Sequence, residues 1–198
     1  MDLVNAYIRK IPIGLVYALA LTPAIFLIHA ALTGGLGIDP VKKLEHELGK
    51  LALQMLIFGL AITPLRRWAG VNLIRFRRCI GVVTYVYLCF HLLVWLVLDV
   101  QILDQIWGDI LKRPYITIGM LGFVLLTPLA LTSNNRSVRR LGPKWRQLHR
   151  LVYLAAVLGG LHYFMLVKGF QLEPILYLTV IIGLLLLRVV PARRIQAA

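Results

Sequence analysis

Six stretches, at about 13–32, 48–65, 80–98, 115–132, 151–167 and 174–190, run almost free of charged side chains. Crossing the hydrocarbon layer of a bilayer takes roughly 20 predominantly apolar residues in a helix. The last two stretches are the shortest and suit helices that stand with little tilt. The pattern predicts an all-α integral membrane protein, a bundle of six transmembrane helices in a single domain over 1–198. Composition excludes the alternatives. Hydrophobic residues make up 60% of the chain and charged residues 15%, against roughly 45–50% and about 25% in soluble domains. Disorder is excluded by the abundance of bulky aliphatic side chains. The first run is too long for a cleavable signal and no small-x-small site follows it. The chain carries no convincing internal repeat, and its loops are too short for a separate soluble core.

The formal net charge is +14. Sorting the loops alternately gives that charge a topological meaning. One side holds Arg9, Lys10, Arg66, Arg67, Arg75, Arg77, Arg78, Arg136, Arg139, Arg140, Lys144, Arg146, Arg150, Arg188, Arg193 and Arg194, with Asp2 as its acid. The other holds Lys42, Lys43, Lys50, Lys112, Arg113 and Lys168 against Asp39, Glu45, Glu47, Asp99, Asp104, Asp109 and Glu173. The sides sum to +15 and −1, which predicts cytoplasmic termini and removes nucleic acid as a partner. Cys79 and Cys89 lie ten apart in one apolar run and read as small core residues, neither a disulfide framework nor a zinc cluster. Thr22-Pro23, Thr63-Pro64 and Thr127-Pro128 fall inside spans. Each proline removes a helical hydrogen bond, and the threonine hydroxyl is expected to re-satisfy a freed carbonyl.

Ionisable groups at depth in a bilayer are costly, so each invites a functional explanation. Asp, Glu, Lys and Arg are nearly absent from the spans, which argues against an ion pump, and five histidines remain: His29, His46, His91, His149 and His162. His91 follows Arg78 at the same interval along the chain as His162 follows His149, which stands at the mouth of span five. Both are therefore roughly 20 Å in from the same surface, at one level on two parallel helices. Six-coordinate haem iron takes one imidazole on each face of the porphyrin. Ala155, Ala156, Gly159 and Gly160 leave part of span five without bulky side chains, room for a flat macrocycle or for close helix packing. His149 points about 140° away from His162 on an ideal helix, and Arg77 and Arg78 occupy the depth-matched positions on span three. His29 and His46 read as interfacial histidines near the outer ends of spans one and two.

The stretches ITPLRR at 62–67, RFRRCIG…HLLVW at 75–95, KRPYITIG at 112–119 and LGPKWRQLHRLVYLAAVLGGLHY at 141–163 resemble the ferric-reductase-like transmembrane domain family, shared with NADPH oxidases. Within it, the chain is most similar to the haem-binding membrane subunits of bacterial periplasmic methionine sulfoxide reductase systems, from about residue 10 to 190. The resemblance implies a b-type haem cytochrome of the bacterial inner membrane, an electron-transfer subunit rather than the catalytic one. It implies electron delivery to a periplasmic molybdopterin-containing methionine sulfoxide reductase subunit, which supports repair of oxidised envelope proteins. Carried over residue by residue, the candidate haem ligands are His91, His149 and His162. The two-haem oxidases place a fourth histidine where this chain has Arg77 and Arg78. FMN as a further cofactor, and a quinone or cytosolic flavin reductase as donor, are implied by the resemblance alone.

The reading that follows is a single bis-imidazole haem in the outer half of the bundle. Electrons enter at the arginine-rich loops 66–78 and 133–150, where guanidinium groups could hold a flavin phosphate; positive-inside charge and lipid headgroups explain those arginines equally well. The electrons leave near Asp99, Asp104 and Asp109. Two readings from other classes stand beside it: a transporter or proton channel using His91 and His162 as a relay, and an assembly subunit whose histidines are merely packed.

Overall fold

The computed structural model describes residues 1–167 and 169–190, so Lys168, Arg193 and Arg194 of the charge argument lie outside the described residues. Ten α-helices, and no β-strand, occur among the described residues: α1 (Asp2–Lys10), α2 (Ile13–Leu32), α3 (Pro40–Trp68), α4 (Arg77–Val94), α5 (Leu103–Lys112), α6 (Pro114–Leu131), α7 (Asn135–Leu141), α8 (Pro143–Leu148), α9 (Leu151–Leu166) and α10 (Leu172–Val189). Five of the described helices are long and apolar enough to cross a membrane: α2, α3, α4 with its continuation to Val100, α6 and α10. Several such helices in one chain indicate a multi-pass membrane protein. The fifth stretch expected from the sequence, α9, is also helical but has 16 residues, about 24 Å long.

The main departure from expectation is α3. Its apolar run begins near 48, yet the helix starts well before it, at Pro40. Asp39 caps it, its carboxylate accepting from Lys42 N–H at 3.2 Å. Pro40 stands at the first helical position, where its missing N–H costs nothing. The result is 29 residues, about 44 Å, against a hydrocarbon thickness of about 30 Å. The excess carries Lys42, Lys43, Glu45, His46 and Glu47. Hydropathy marks the part of a helix that sits in lipid, not the part that is helical.

Four short helices escaped the sequence reading: α1, α5, and α7 and α8 within the stretch expected as the loop 133–150. Both α1 and α5 have one apolar and one polar face. α1 is tied to the turn after α3 by Asn5, whose Nδ2 donates to Gly70 O and whose Oδ1 accepts from Asn72 N–H, both at 2.9 Å. α4 continues as a π-helical segment, Trp95–Val100, and ends where Gln101 takes φ +63°.

The centre is a ring of four helices. α3 packs closely on α4, α6 packs closely on α9, and lighter contacts α4–α6 and α3–α9 join the two pairs. α2 covers the α3/α4 side and α10 covers the α3/α9 side. Apolar side chains such as Leu19, Phe26, Val124 and Leu186 stay exposed on the outer faces. Lipid tails are as apolar as leucine, so such faces need no protein cover.

Candidate functional site

The two helix pairs approach each other loosely, and the space between them is a cavity of about 680 Å³. Its deep walls are apolar, formed by Ala52, Leu53, Leu56, Leu88, Leu126 and Ala155. Its mouth opens among Lys42, Glu45, His46, Asp99, Arg113 and Gln171, all on the acid-bearing side of the charge map.

His91 from α4 and His162 from α9 project into this cavity from opposite pairs. Their ring centroids are 6.3 Å apart and their planes are inclined at 76°. His91 Nδ1 lies 2.8 Å from the Glu45 carbonyl oxygen and His162 Nδ1 lies 2.7 Å from the Tyr115 carbonyl oxygen. A carbonyl only accepts, so each Nδ1 carries the hydrogen, and in the neutral ring that leaves Nε2 with its lone pair. Orientation of a ligating imidazole by such a partner is the usual outer-shell arrangement at metal sites. Among the described residues neither ring is hydrogen-bonded to another titratable side chain.

The separation can be tested against a metal between the rings. A metal–imidazole bond is about 2.0 Å and a ring centre lies about 1.1 Å behind the nitrogen, so two rings on one ion have centres about 6 Å apart. The 6.3 Å observed meets that requirement. A group of three or more His, Cys, Asp or Glu side chains that could hold a bare metal ion does not occur among the described residues. Two facing neutral imidazoles in a large apolar slot suit a metal whose other ligands come from a macrocycle.

The small residues of α9 divide into two sets. Ala155 and Gly159 line the cavity on the same face as His162. Ala156 and Gly160 face α3 and α10 instead: Ala156 is fully buried in their shared core, and a Cβ on Gly160 would lie 2.9 Å from Ile181 Cδ1. Cofactor room and helix packing, the two explanations the sequence left open, each account for half of the set.

His149 is not brought to the pair. It follows α8, stacks on Trp145 at 3.9 Å between centroids, and places Nε2 3.1 Å from Thr132 Oγ1. The Thr132 hydroxyl donates to Pro128 O at 2.6 Å, so His149 Nε2 is the donor to Thr132. Burial, and then the nearby Arg77 charge, push the His149 pKa below its ordinary value, which favours the neutral ring. His29 is exposed at the end of α2, and His46 lies at the cavity mouth. Four arginines of loop 66–78 and its flanks are engaged internally. Arg67 donates to the carbonyls of Arg188 and Val190, Arg75 to that of Arg9, Arg77 to Thr63 Oγ1 and Arg78 to Asn135 Oδ1.

Sequence reasoning missed the carbonyls of Glu45 and Tyr115 and the residues of the mouth. Their only signal in the sequence is position, because a backbone acceptor has no residue type.

Residues 48–160 match the family described as "Ferric reductase like transmembrane component". The "Protein-methionine-sulfoxide reductase heme-binding subunit MsrQ" of Agrobacterium fabrum is 49% identical over 175 residues, 88% of this chain and 81% of that protein. The protein of the same name from Brucella anthropi is 45% identical over 179 residues, 90% of this chain and 81% of its own length. The chain belongs to the MsrQ family. No solved structure gives a significant match. The ferric-reductase-like region contains His91 and His149 and stops just short of His162. The MsrQ likeness extends over nearly the whole chain.

Proposed function

We propose that this chain is a single-domain, six-span inner-membrane cytochrome that binds haem b between His91 and His162. In this reading it passes electrons to a periplasmic molybdopterin-containing methionine sulfoxide reductase subunit of the MsrP kind. The observation that carries it is the pair of imidazoles with centroids 6.3 Å apart, each with Nδ1 tied to a backbone carbonyl and each lining the same cavity. The names of the MsrQ relatives support the cofactor class and the system. When bound, haem supplies a reversible one-electron couple.

The residues around it do the rest. His91 and His162 would hold the haem, one imidazole from each helix pair, and so held it would supply outer-sphere electron passage rather than oxygen binding. The leucines and alanines of the deep wall exclude water and stabilise a neutral, flat macrocycle. Lys42, Lys50 and Arg113 line the mouth, paired with Asp39, with Glu47 and Glu173, and with Asp109 respectively, and would be the cations nearest to carboxylates of a bound haem. α9, with both neighbours α6 and α10 apolar along their length, is the sixth span, and both termini lie in the cytoplasm. The donor, a quinone or a cytosolic flavin reductase, acts at the arginine-rich end. There the exposed Arg136, Arg139 and Arg140 of α7 offer guanidinium groups to an FMN phosphate. His149 near that end is retained as a third candidate ligand, one that would use its free Nδ1.

A proton relay would require hydrogen-bonded titratable neighbours around the two rings, and the partners of both rings are backbone carbonyls. The test is the visible spectrum of purified protein. Wild type should show a low-spin b-type spectrum, and His91→Ala and His162→Ala should each lose most of it. Full haem content in both variants would sink the assignment.

A further inference from the structure

The two rings are held by one device used twice. His91 on α4 reaches the carbonyl of Glu45 on α3, and His162 on α9 reaches the carbonyl of Tyr115 on α6, across nearly equal lengths of chain. Each acceptor sits in the first two turns of its helix, and each histidine sits in the last two turns of the helix that packs back against it. A helical carbonyl already points along the axis toward the N–H four residues on. A second donor from a neighbouring helix must come in sideways, over the side chain of that fourth residue. For Glu45 the fourth residue is Gly49, and for Tyr115 it is Gly119.

The space is needed. A Cβ on Gly49 would stand 3.1 Å from His91 Nδ1 and 3.2 Å from its Cε1. A Cβ on Gly119 would stand 2.7 Å from His162 Nδ1 and 2.9 Å from its Cε1. Glycine for helix approach alone looks different: a Cβ on Gly59, in the same α3/α4 seam, would meet Ile80 Cγ2 at an ordinary 3.5 Å.

We propose that Gly49 and Gly119 are positioning residues for the two axial imidazoles, each opening the carbonyl four residues before it to a histidine Nδ1–H so that both Nε2 atoms face one iron. The proposal rests on the haem reading above and adds to it a cause for the ring orientations. It also makes the α3–α4 and α6–α9 pairs two copies of one half-site, a repeat in architecture that the sequence does not display. An alanine at either glycine pushes the ring off its carbonyl, which frees the tautomer and weakens the imidazole as a donor to metal.

The experiment uses the full haem-loaded chain in detergent, with haem per protein and an optical redox titration as readouts. Gly119→Ala should lose more than half of its haem or turn high-spin. Gly49→Ala, with the longer approach, should keep more haem but shift the midpoint potential. Gly160→Ala serves as a packing control on the helix of His162, because its new Cβ meets the flexible ends of Ile181 and Leu178 and no histidine. It should melt earlier while its folded fraction keeps the parental spectrum and midpoint. Gly59→Ala should match the parent in both. Parental haem content, spin state and midpoint in Gly49→Ala, with or without a foldable Gly119→Ala, overturns the proposal. So does an equal midpoint shift in Gly160→Ala or Gly59→Ala. If His91→Ala and His162→Ala keep their haem, the haem reading itself has failed. If they lose it while the glycine variants do not, only this inference has.

Discussion

His149 and His162 have the same side chain and flank one short stretch of chain, yet their surroundings give them different work. His162 has a carbonyl at Nδ1 and lines the cavity between the helix pairs. His149 donates through Nε2 to Thr132 and lies flat on Trp145, whose indole N–H donates to Thr132 O at 3.0 Å. These contacts knit α8 to the end of α6. His149→Ala is therefore expected to lower haem content less than either cavity histidine does, and to destabilise by about 1 kcal/mol through the lost hydrogen bond and stacking. Pyridine-haemochrome assay beside a thermal melt checks both. A haem loss equal to that of His162→Ala would make His149 a ligand on a par with the cavity histidines. Counting residues along each span was enough to expect His91 and His162 beside each other, as they are. It could not say which way each ring turns, because that depends on the rotation of each helix about its axis.

At the scale of the helix, the prolines behave differently from expectation. Pro64 has no N–H for the carbonyl of Leu60, one turn back. The adjacent Thr63 does not fill the gap; its hydroxyl accepts from Arg77 instead. Arg188 of α10 does, donating from Nη2 to Leu60 O at 2.6 Å and from Nη1 to Tyr153 OH at 2.9 Å. Thr22 and Thr127 bond back to Ala18 O and Phe123 O, the carbonyls four residues before themselves, not to those the prolines free. A cation from another helix thus completes the broken ladder of α3. Arg188→Leu should cost about 1–3 kcal/mol, because it leaves a buried acceptor unpaired. Pro64→Ala should recover part of that loss by restoring the N–H. Thermal melts of the two single variants and the double variant decide it, and strictly additive effects would refute the coupling.

For the whole molecule, the loop charges and the cavity agree on a direction. The mouth opens on the side that carries Asp99 and Glu173, and the arginine-rich helices α7 and α8 lie at the other end. Single cysteines at Asp104 and Arg139, in a background lacking Cys79 and Cys89, should respond oppositely to a membrane-impermeant maleimide on intact cells. Position 104 should label and position 139 should label only after permeabilisation. Labelling of position 139 in intact cells would reverse the assigned orientation. The same experiment at the ends of α9 bears on the six-span count, since reagents should reach its two ends from opposite sides.

Hydropathy and charge are functions of distance along a helix axis, so position along that axis was readable from the chain: which segments are apolar enough to span, which ends carry the arginines, and that His91 and His162 come side by side. Rotation and neighbour choice were not readable. Between membrane helices no hydrophobic force selects one face over another, and close packing and hydrogen bonds decide instead. Only the folded bundle therefore decided that α3 pairs with α4 and α6 with α9. The same packing separated Ala155 and Gly159 from Ala156 and Gly160, and it set two bare carbonyls beside two glycines, where imidazole rings could reach them.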